Sequence, residues 1–340
     1  MNGLQHWSRR VLRSIFQGAK AGTLREMVRA LPKDAIAAID APVFINKAEA
    51  AEQMEDTERV LGVEINGDAR AYPLSILSVH QVVNDIVGGV PVVVTWCPLS
   101  YAGIVYRRVV MDRILSFGVS GGILRNVVTI YDRETETYWN QLTGKGLSGP
   151  LCSLILVAIP AVNTMWEEWS SGYPFAFTLS KAGSPYGQYD EDHMSAYYYS
   201  ERTGIRHPVH RDNRLLHKAQ IVGINYIGGA VAYPVALLEK ARVIHDTLVS
   251  EPIVIFHTQD FGTSIVFSVR VENCALSFYE FAGRYYDEQT NSQWSPVTGI
   301  AVSGPLRGQR LIAIPGTTAF WFAWVDHFPE TRVYNLGMLN

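Results

Sequence analysis

Cysteine is scarce in this chain: three residues in 340, Cys97, Cys152 and Cys274, none of them in a CxxC. An odd, scattered set excludes a disulfide scaffold and fits a reducing compartment, so a cytoplasmic location is expected. No window of about 18 apolar residues occurs, which excludes a transmembrane helix, and the N-terminus lacks a signal-peptide core. Charge is also sparse. Charged residues make up 18% and the net charge is −3, which leaves no footprint for nucleic acid. HxH, HxxxH, HExxH, GxSxG and P-loop patterns are all missing. The glycine-rich run Gly118–Gly122 precedes more strand rather than a helix, a poor phosphate cradle.

What is present is apolar residues, 48% of the chain, and a sequence written twice. GVEINGDARAYPLSIL from Gly62 returns as GINYIGGAVAYPVALL from Gly223, displaced by 161 positions. YDRETETYW from Tyr131 returns as YDEQTNSQW from Tyr286, displaced by 155, and LSGPL returns as VSGPL. Trp166 and Trp169 match Trp321 and Trp324. Order kept over such a length predicts a duplicated fold, two pseudo-two-fold-related β-rich lobes. The class expected is mainly β with some α (α+β). Residues 1–33 form a basic amphipathic N-terminal segment and 34–179 the first repeat. Residues 180–212 are a Tyr/Ser/Gly-rich crossover without helical or strand period, and 213–340 a second, degenerate repeat.

Turn chemistry supports the β reading. Asn66-Gly67 and Gly88-Gly89 sit between β-branched runs as two-residue hairpin turns, where positive φ is required. Tryptophans three apart on a short helix share a face and belong to the core, and Thr164 with Glu167 has capping-box spacing. Residues 6–30 have helical amphipathic spacing. They suit a helix packed on the body, with membrane-surface contact through Trp7, Phe16 and the arginines as the lesser reading.

Extending the Gly88-Gly89 hairpin outward places His80 opposite Cys97 as a close cross-strand pair. An imidazole beside a thiol makes a thiolate accessible near neutral pH. Asn84, on the same face, would orient the ring. In the second copy His80 becomes Ala241 and Cys97 becomes Thr258, so the architecture does not require the pair. Glu64, Arg70, Tyr72 and Gln141 are the candidate substrate-positioning residues; Glu64 and Arg70 are matched with Tyr226 and Val231, which concentrates polarity in the first copy. A mixed metal site would draw on His80, Cys97, His245 and His257.

These motifs carry a family resemblance. GVEINGDARAYPL, HQVVND followed by GG.PV.VT.CPL, YDRET, W.QLTG, GPL, and the linker runs YG.Y, YY.S and HRDNRL..K resemble the DUF3179 family, a domain of unknown function, over about residues 34–336. The resemblance implies a soluble, β-rich protein with no settled reaction. The family's Cys-Pro-Leu motif continues with Cys or Thr and then small residues. Here Cys97-Pro98-Leu99-Ser100-Tyr101-Ala102-Gly103 lacks the second thiol and inserts Tyr101, which argues against a two-cysteine metal site and implies an altered pocket. Many relatives resemble exported proteins, whereas this chain shows no signal, which points to an intracellular, biosynthetic role. Three readings stay open: a small-molecule enzyme with Cys97 as thiol and His80 as base; a metal-dependent oxidoreductase with His and Cys ligands; and a non-catalytic binding or scaffold protein.

Overall fold

The computed structural model describes residues 26–182, 189, 193–271 and 274–335. It is mainly β, with several sheets and a few short helices. Chain order explains the layout. Arg59–Ile65 turns through Asn66 (φ 53°) and Gly67 (φ 86°) into Asp68–Pro73, with Ile65 paired to Asp68. Helix Leu74–His80 follows, then the hairpin Val82–Val87 and Val90–Cys97, then Ala102–Arg107. Gly88 (φ 52°) and Gly89 (φ 79°) make the second turn, and the ladder runs from Val87↔Val90 to Val82↔Thr95. Both turns form where the dipeptides placed them, because primed turns match the twist of the flanking strands.

The second half repeats this order of elements. Gln220–Tyr226, Gly229–Pro234, helix Val235–Ala241, Val243–Leu248, Glu251–His257 and Ser264–Ser268 succeed one another. The helix before each hairpin ends on a left-handed residue, Gln81 (φ 61°) or Arg242 (φ 62°), whose N–H bonds Leu77 O or Leu238 O. In the hairpin ladders Glu64 pairs Ala69 and Asn225 pairs Ala230. Glu64 thus holds the position of Asn225, not of Tyr226, and that position is polar in both halves.

Two recurrent motifs are structural. In YDRETETYW, Asp132 accepts from Thr135 N at 2.7 Å, from the Thr135 hydroxyl, and from Trp139 Nε1 at 2.9 Å. In YDEQTNSQW, Asp287 accepts from Thr290 N at 2.6 Å and Trp294 Nε1 at 2.9 Å. Each carboxylate closes a turn and satisfies a buried indole. Trp166, Trp169, Trp321 and Trp324 are buried on helices Trp166–Gly172 and Trp321–His327. They explain Gly62 and Gly223: a Cβ there would lie 2.4 Å from the ring of Trp169 or Trp324.

Three local expectations change. Thr164 and Glu167 form no capping box; the helix is capped by Met165 without a side-chain bond, and the Thr164 hydroxyl donates to Glu168 Oε2 at 2.8 Å instead. Of the N-terminal segment, residues 1–25 lie outside the described residues, and Val28–Arg29 is a strand paired with Gly122 and Ile123. The crossover contains a helical turn, Ser195–Tyr198. Among the described residues, no helix is long and apolar enough to cross a membrane.

Candidate functional site

Strand Val90–Cys97 pairs with the next strand up to Cys97↔Ala102 and strand Glu251–His257 up to His257↔Ser264, leaving loops of four and six residues. The positive-φ residue before each hairpin holds the strand near its end: Trp96 N donates to Gln81 O at 2.9 Å, and His257 N donates to Arg242 O at 2.8 Å. Tyr101 (φ 55°) and Gly262 (φ 64°) take positive φ in these loops. The two strand ends carry different side chains.

The first end is dry. His80 does not face Cys97 across the ladder, because helix Leu74–His80 absorbs it and Gln81 turns left-handed before the strand begins at Val82. Its Nδ1–H donates to Ala37 O at 2.7 Å, and Nε2 accepts from Tyr189 OH at 2.6 Å. Burial lowers the His80 pKa, opposed by the bond to Ala37. Cys97 is fully buried, its Sγ accepting from Val128 N at 3.4 Å. Burial pushes its thiol up, the reverse of an activated thiolate. The crossover closes this end. Tyr197 OH donates to Leu99 O at 2.7 Å, and Tyr101 packs on Trp96, Tyr198 and Phe320 with ring centroids 5.1, 4.9 and 5.4 Å away.

The other expected site residues do not gather around Cys97. Asn84 donates to Asp40 Oδ1 and Phe117 O and accepts from Phe117 N, so it clamps strands rather than orienting His80. Arg70 and Tyr72 meet on Asp85, at 3.0 and 2.6 Å. Glu64 accepts from Gly67 N and pairs with Arg310. Gln141 donates to Thr95 Oγ1 and Ala102 O. His245 Nε2 accepts from Phe278 N at 2.9 Å, and burial lowers its pKa. Among the described residues no three His, Cys, Asp or Glu side chains converge as metal ligands, so His80, Cys97, His245 and His257 do not form the mixed site.

The second strand end is polar. His257 replaces Trp96, Thr258 replaces Cys97 and Ser264 replaces Gly103. His257 is buried, and its Nδ1 meets Ser264 Oγ at 2.8 Å. Thr263 Oγ1 bonds Thr164 Oγ1 at 2.8 Å and Glu168, tying this loop to helix Trp166–Gly172 of the first half. Tyr285 OH donates to His257 O at 2.6 Å. Two half-buried arginines, Arg242 and Arg59, act electrostatically on the histidine, and the carboxylates of Glu280, Glu168 and Asp260 act on the adjoining Tyr285. Arg242 lies against His257 through the backbone bond, and Arg59 Nη2 comes 3.5 Å from where a Cβ of Gly262 would stand. Neither guanidinium pairs with a carboxylate among the described residues, whereas Glu168 is held by hydroxyls. Burial first, then Arg242 and Arg59, pushes His257 down to about 4, so it is neutral at physiological pH.

Sequence reasoning named His257 only as a metal ligand and missed Arg59, Arg242, Thr263 and Glu168. The signal available was the register. Once the copies are aligned, Arg242 precedes its strand as Gln81 does, which places it beside His257.

The fold is mainly β, with several sheets and a few short helices. The chain belongs to the DUF3179 family, described as a protein of unknown function, whose profile matches residues 33–331. No curated protein and no solved structure matches the chain.

Proposed function

We propose that this protein binds a small organic anion, a carboxylate or phosphate, at the end of strand Glu251–His257, as a binding protein or as an enzyme with His257 as its base. One observation carries this reading: two half-buried arginines, neither in an ion pair among the described residues, lie near enough to a buried, neutral histidine to lower its pKa. Arginine is suited to bidentate recognition of such groups. Arginines in a partly desolvated place attract an anion, and the nearby Glu168 carboxylate is already taken up by the hydroxyls of Thr164 and Thr263. With Nδ1 tied to Ser264, Nε2 of a neutral imidazole is the atom available to exchange a proton with a bound ligand.

The same reading takes the chain as a duplicated pair of lobes whose equivalent strand ends have diverged. The copy carrying Trp96, Cys97 and Tyr101 became a sealed aromatic plug. The copy carrying His257, Thr258 and Thr263 kept the polar place. A thiol enzyme built on Cys97 would require an activated thiolate, and burial instead pushes this thiol's pKa up, which favours the anion site.

Calorimetry at low ionic strength, with orthophosphate and small mono- and dicarboxylates, tests the proposal. At least one anion binds saturably at millimolar concentration or below, and Arg59→Gln or Arg242→Gln weakens it about tenfold or more, as expected for a lost charged hydrogen bond. No saturable binding, or unchanged affinity in both variants, refutes it.

A further inference from the structure

Charge is divided unevenly along this chain. Residues 1–25 hold five Lys or Arg and no Asp or Glu, and residues 199–218, which run from the crossover into the second half, hold five against two. The remainder holds 19 Lys or Arg against 30 Asp or Glu. A chain with a net charge of −3 thus carries two concentrated positive segments.

The fold brings these segments together. The described chain begins at Glu26, whose carboxylate pairs with Arg125 at 2.8 Å. The next residue, Asn126, holds the second segment: its Oδ1 accepts from the N–H groups of Ile205 and Arg206 at 3.0 and 3.1 Å. Arg125 also donates to Asp326 O at 3.0 Å, and the Asp326 carboxylate accepts from Val209 N at 3.2 Å and His210 N at 2.8 Å. Further on, Phe322 N donates to His217 O at 2.9 Å. The segment is a strap along helix Trp321–His327, fixed through its backbone.

Several of its side chains face solvent. Tyr199, Val209 and Leu216 are 90%, 63% and 84% exposed, and Ile205 is exposed as well. Arg202, Arg206, Arg211 and Arg214 are exposed among them. Single apolar side chains on a surface are ordinary. Here there are four, each within three positions of an exposed arginine. Residues 1–25 have the same character, with Trp7 and Phe16 among arginines. Apolar side chains interleaved with arginine suit the boundary between lipid headgroups and acyl chains.

We propose that this face, the strap together with residues 1–25, docks on the surface of an anionic lipid bilayer. The arginines meet the headgroups, and Val209 and Leu216 enter the boundary beneath them. Charge argues against the other occupants. Residues 1–25 folded over the strap, or the strap of a second copy, would set positive charge on positive charge. A nucleic acid would match the charge and leave the apolar side chains without a role.

Flotation of the full chain with phosphatidylcholine vesicles, with and without about 30 mol% phosphatidylserine, tests the proposal. At about 0.1 M salt the anionic vesicles bind the protein about tenfold or more better than the neutral ones. Arg206→Glu with Arg211→Glu weakens that binding about tenfold or more, and Val209→Ser with Leu216→Ser about three- to tenfold. All four side chains are exposed, so both variants keep the wild-type circular dichroism spectrum. Deleting residues 1–25 weakens binding and leaves the remainder dependent on the strap arginines. Equal binding to both vesicles, or binding indifferent to both strap variants, overturns the proposal. So does a rise on deletion, which would mean that residues 1–25 cover the strap. So does tight binding of a DNA duplex that the arginine variant weakens while the serine variant leaves vesicle binding intact, which would make the partner a nucleic acid. Vesicle binding lost in Arg59→Gln would assign the headgroup to the anion site and overturn the strap reading alone, so the two readings fail separately.

Discussion

Replacing Asp132 by Ala isolates what the YD…T…W motif does. Asp132 is fully buried and serves the Thr135 N–H, the Thr135 hydroxyl and Trp139 Nε1. Thr135 is half-exposed, so water replaces its lost acceptor at small cost. Trp139 is fully buried, so its indole N–H is stranded, at about 1–3 kcal/mol. Adding the lost charge-assisted turn bonds, we expect a destabilisation of about 3 kcal/mol. Urea unfolding followed by circular dichroism measures it as a fall in midpoint at constant slope. The mechanism is specific to the indole, so the same substitution in a Trp139→Phe background costs about 1–3 kcal/mol less. Asp287→Ala with Trp294→Phe repeats the cycle in the second half, where Trp294 Nε1 stands 2.9 Å from Asp287. A loss under about 0.5 kcal/mol, or equal losses with and without the indole, would refute the assignment.

Cys97 stays unalkylated in the native protein from pH 6 to 9, while the exposed Cys152 and Cys274 react; mass spectrometry of labelled peptides checks this, and native labelling of Cys97 would restore the thiol reading. His327, fully buried, donates Nδ1–H to Ala323 O and accepts at Nε2 from Asn140, and burial first pushes its pKa down to about 4. Its folded pKa lies below the unfolded value of about 6.5, so its contribution is intact above that pH and is lost as pH falls from there toward 4, by up to about 3 kcal/mol; His327→Gln flattens that slope in denaturant midpoints taken across the window. Gly223→Ala drives a methyl into Trp324 and costs about 1–3 kcal/mol or more, a loss relieved by Trp324→Leu in the same unfolding assay. A bound anion favours the imidazolium of His257 and raises its pKa from about 4, so anion affinity increases as pH falls through the window between free and bound values, measured by calorimetry at several pH values.

Much of the scaffold is legible in the chain because its signals are local. Asn66-Gly67 and Gly88-Gly89 announce their turns, since few residues tolerate positive φ in succession. The tryptophans three apart announce a buried helix face. The site is harder to read. The ladder was extended to His80, but Gln81, a non-glycine residue in a left-handed conformation, ends a helix there and stops the pairing at Val82↔Thr95. No compositional cue marks such a residue. Cys97 lies against Asn126 and Val128, and the loop after it packs on Tyr197, Tyr198 and Phe320, all distant in the chain, and periodicity carries no record of contacts at that range. The polar strand end emerges only in the folded register, where His257 N donates to Arg242 O.

The most direct test of the anion site is the imidazole of His257, observed by NMR while orthophosphate is titrated into the full-length protein at low ionic strength. The account predicts a saturable shift of the His257 ring signals and a rise of its pKa from about 4, both lost in the Arg59→Gln/Arg242→Gln double variant. Ring signals that do not move up to tens of millimolar phosphate, or that move equally in the double variant, would contradict it.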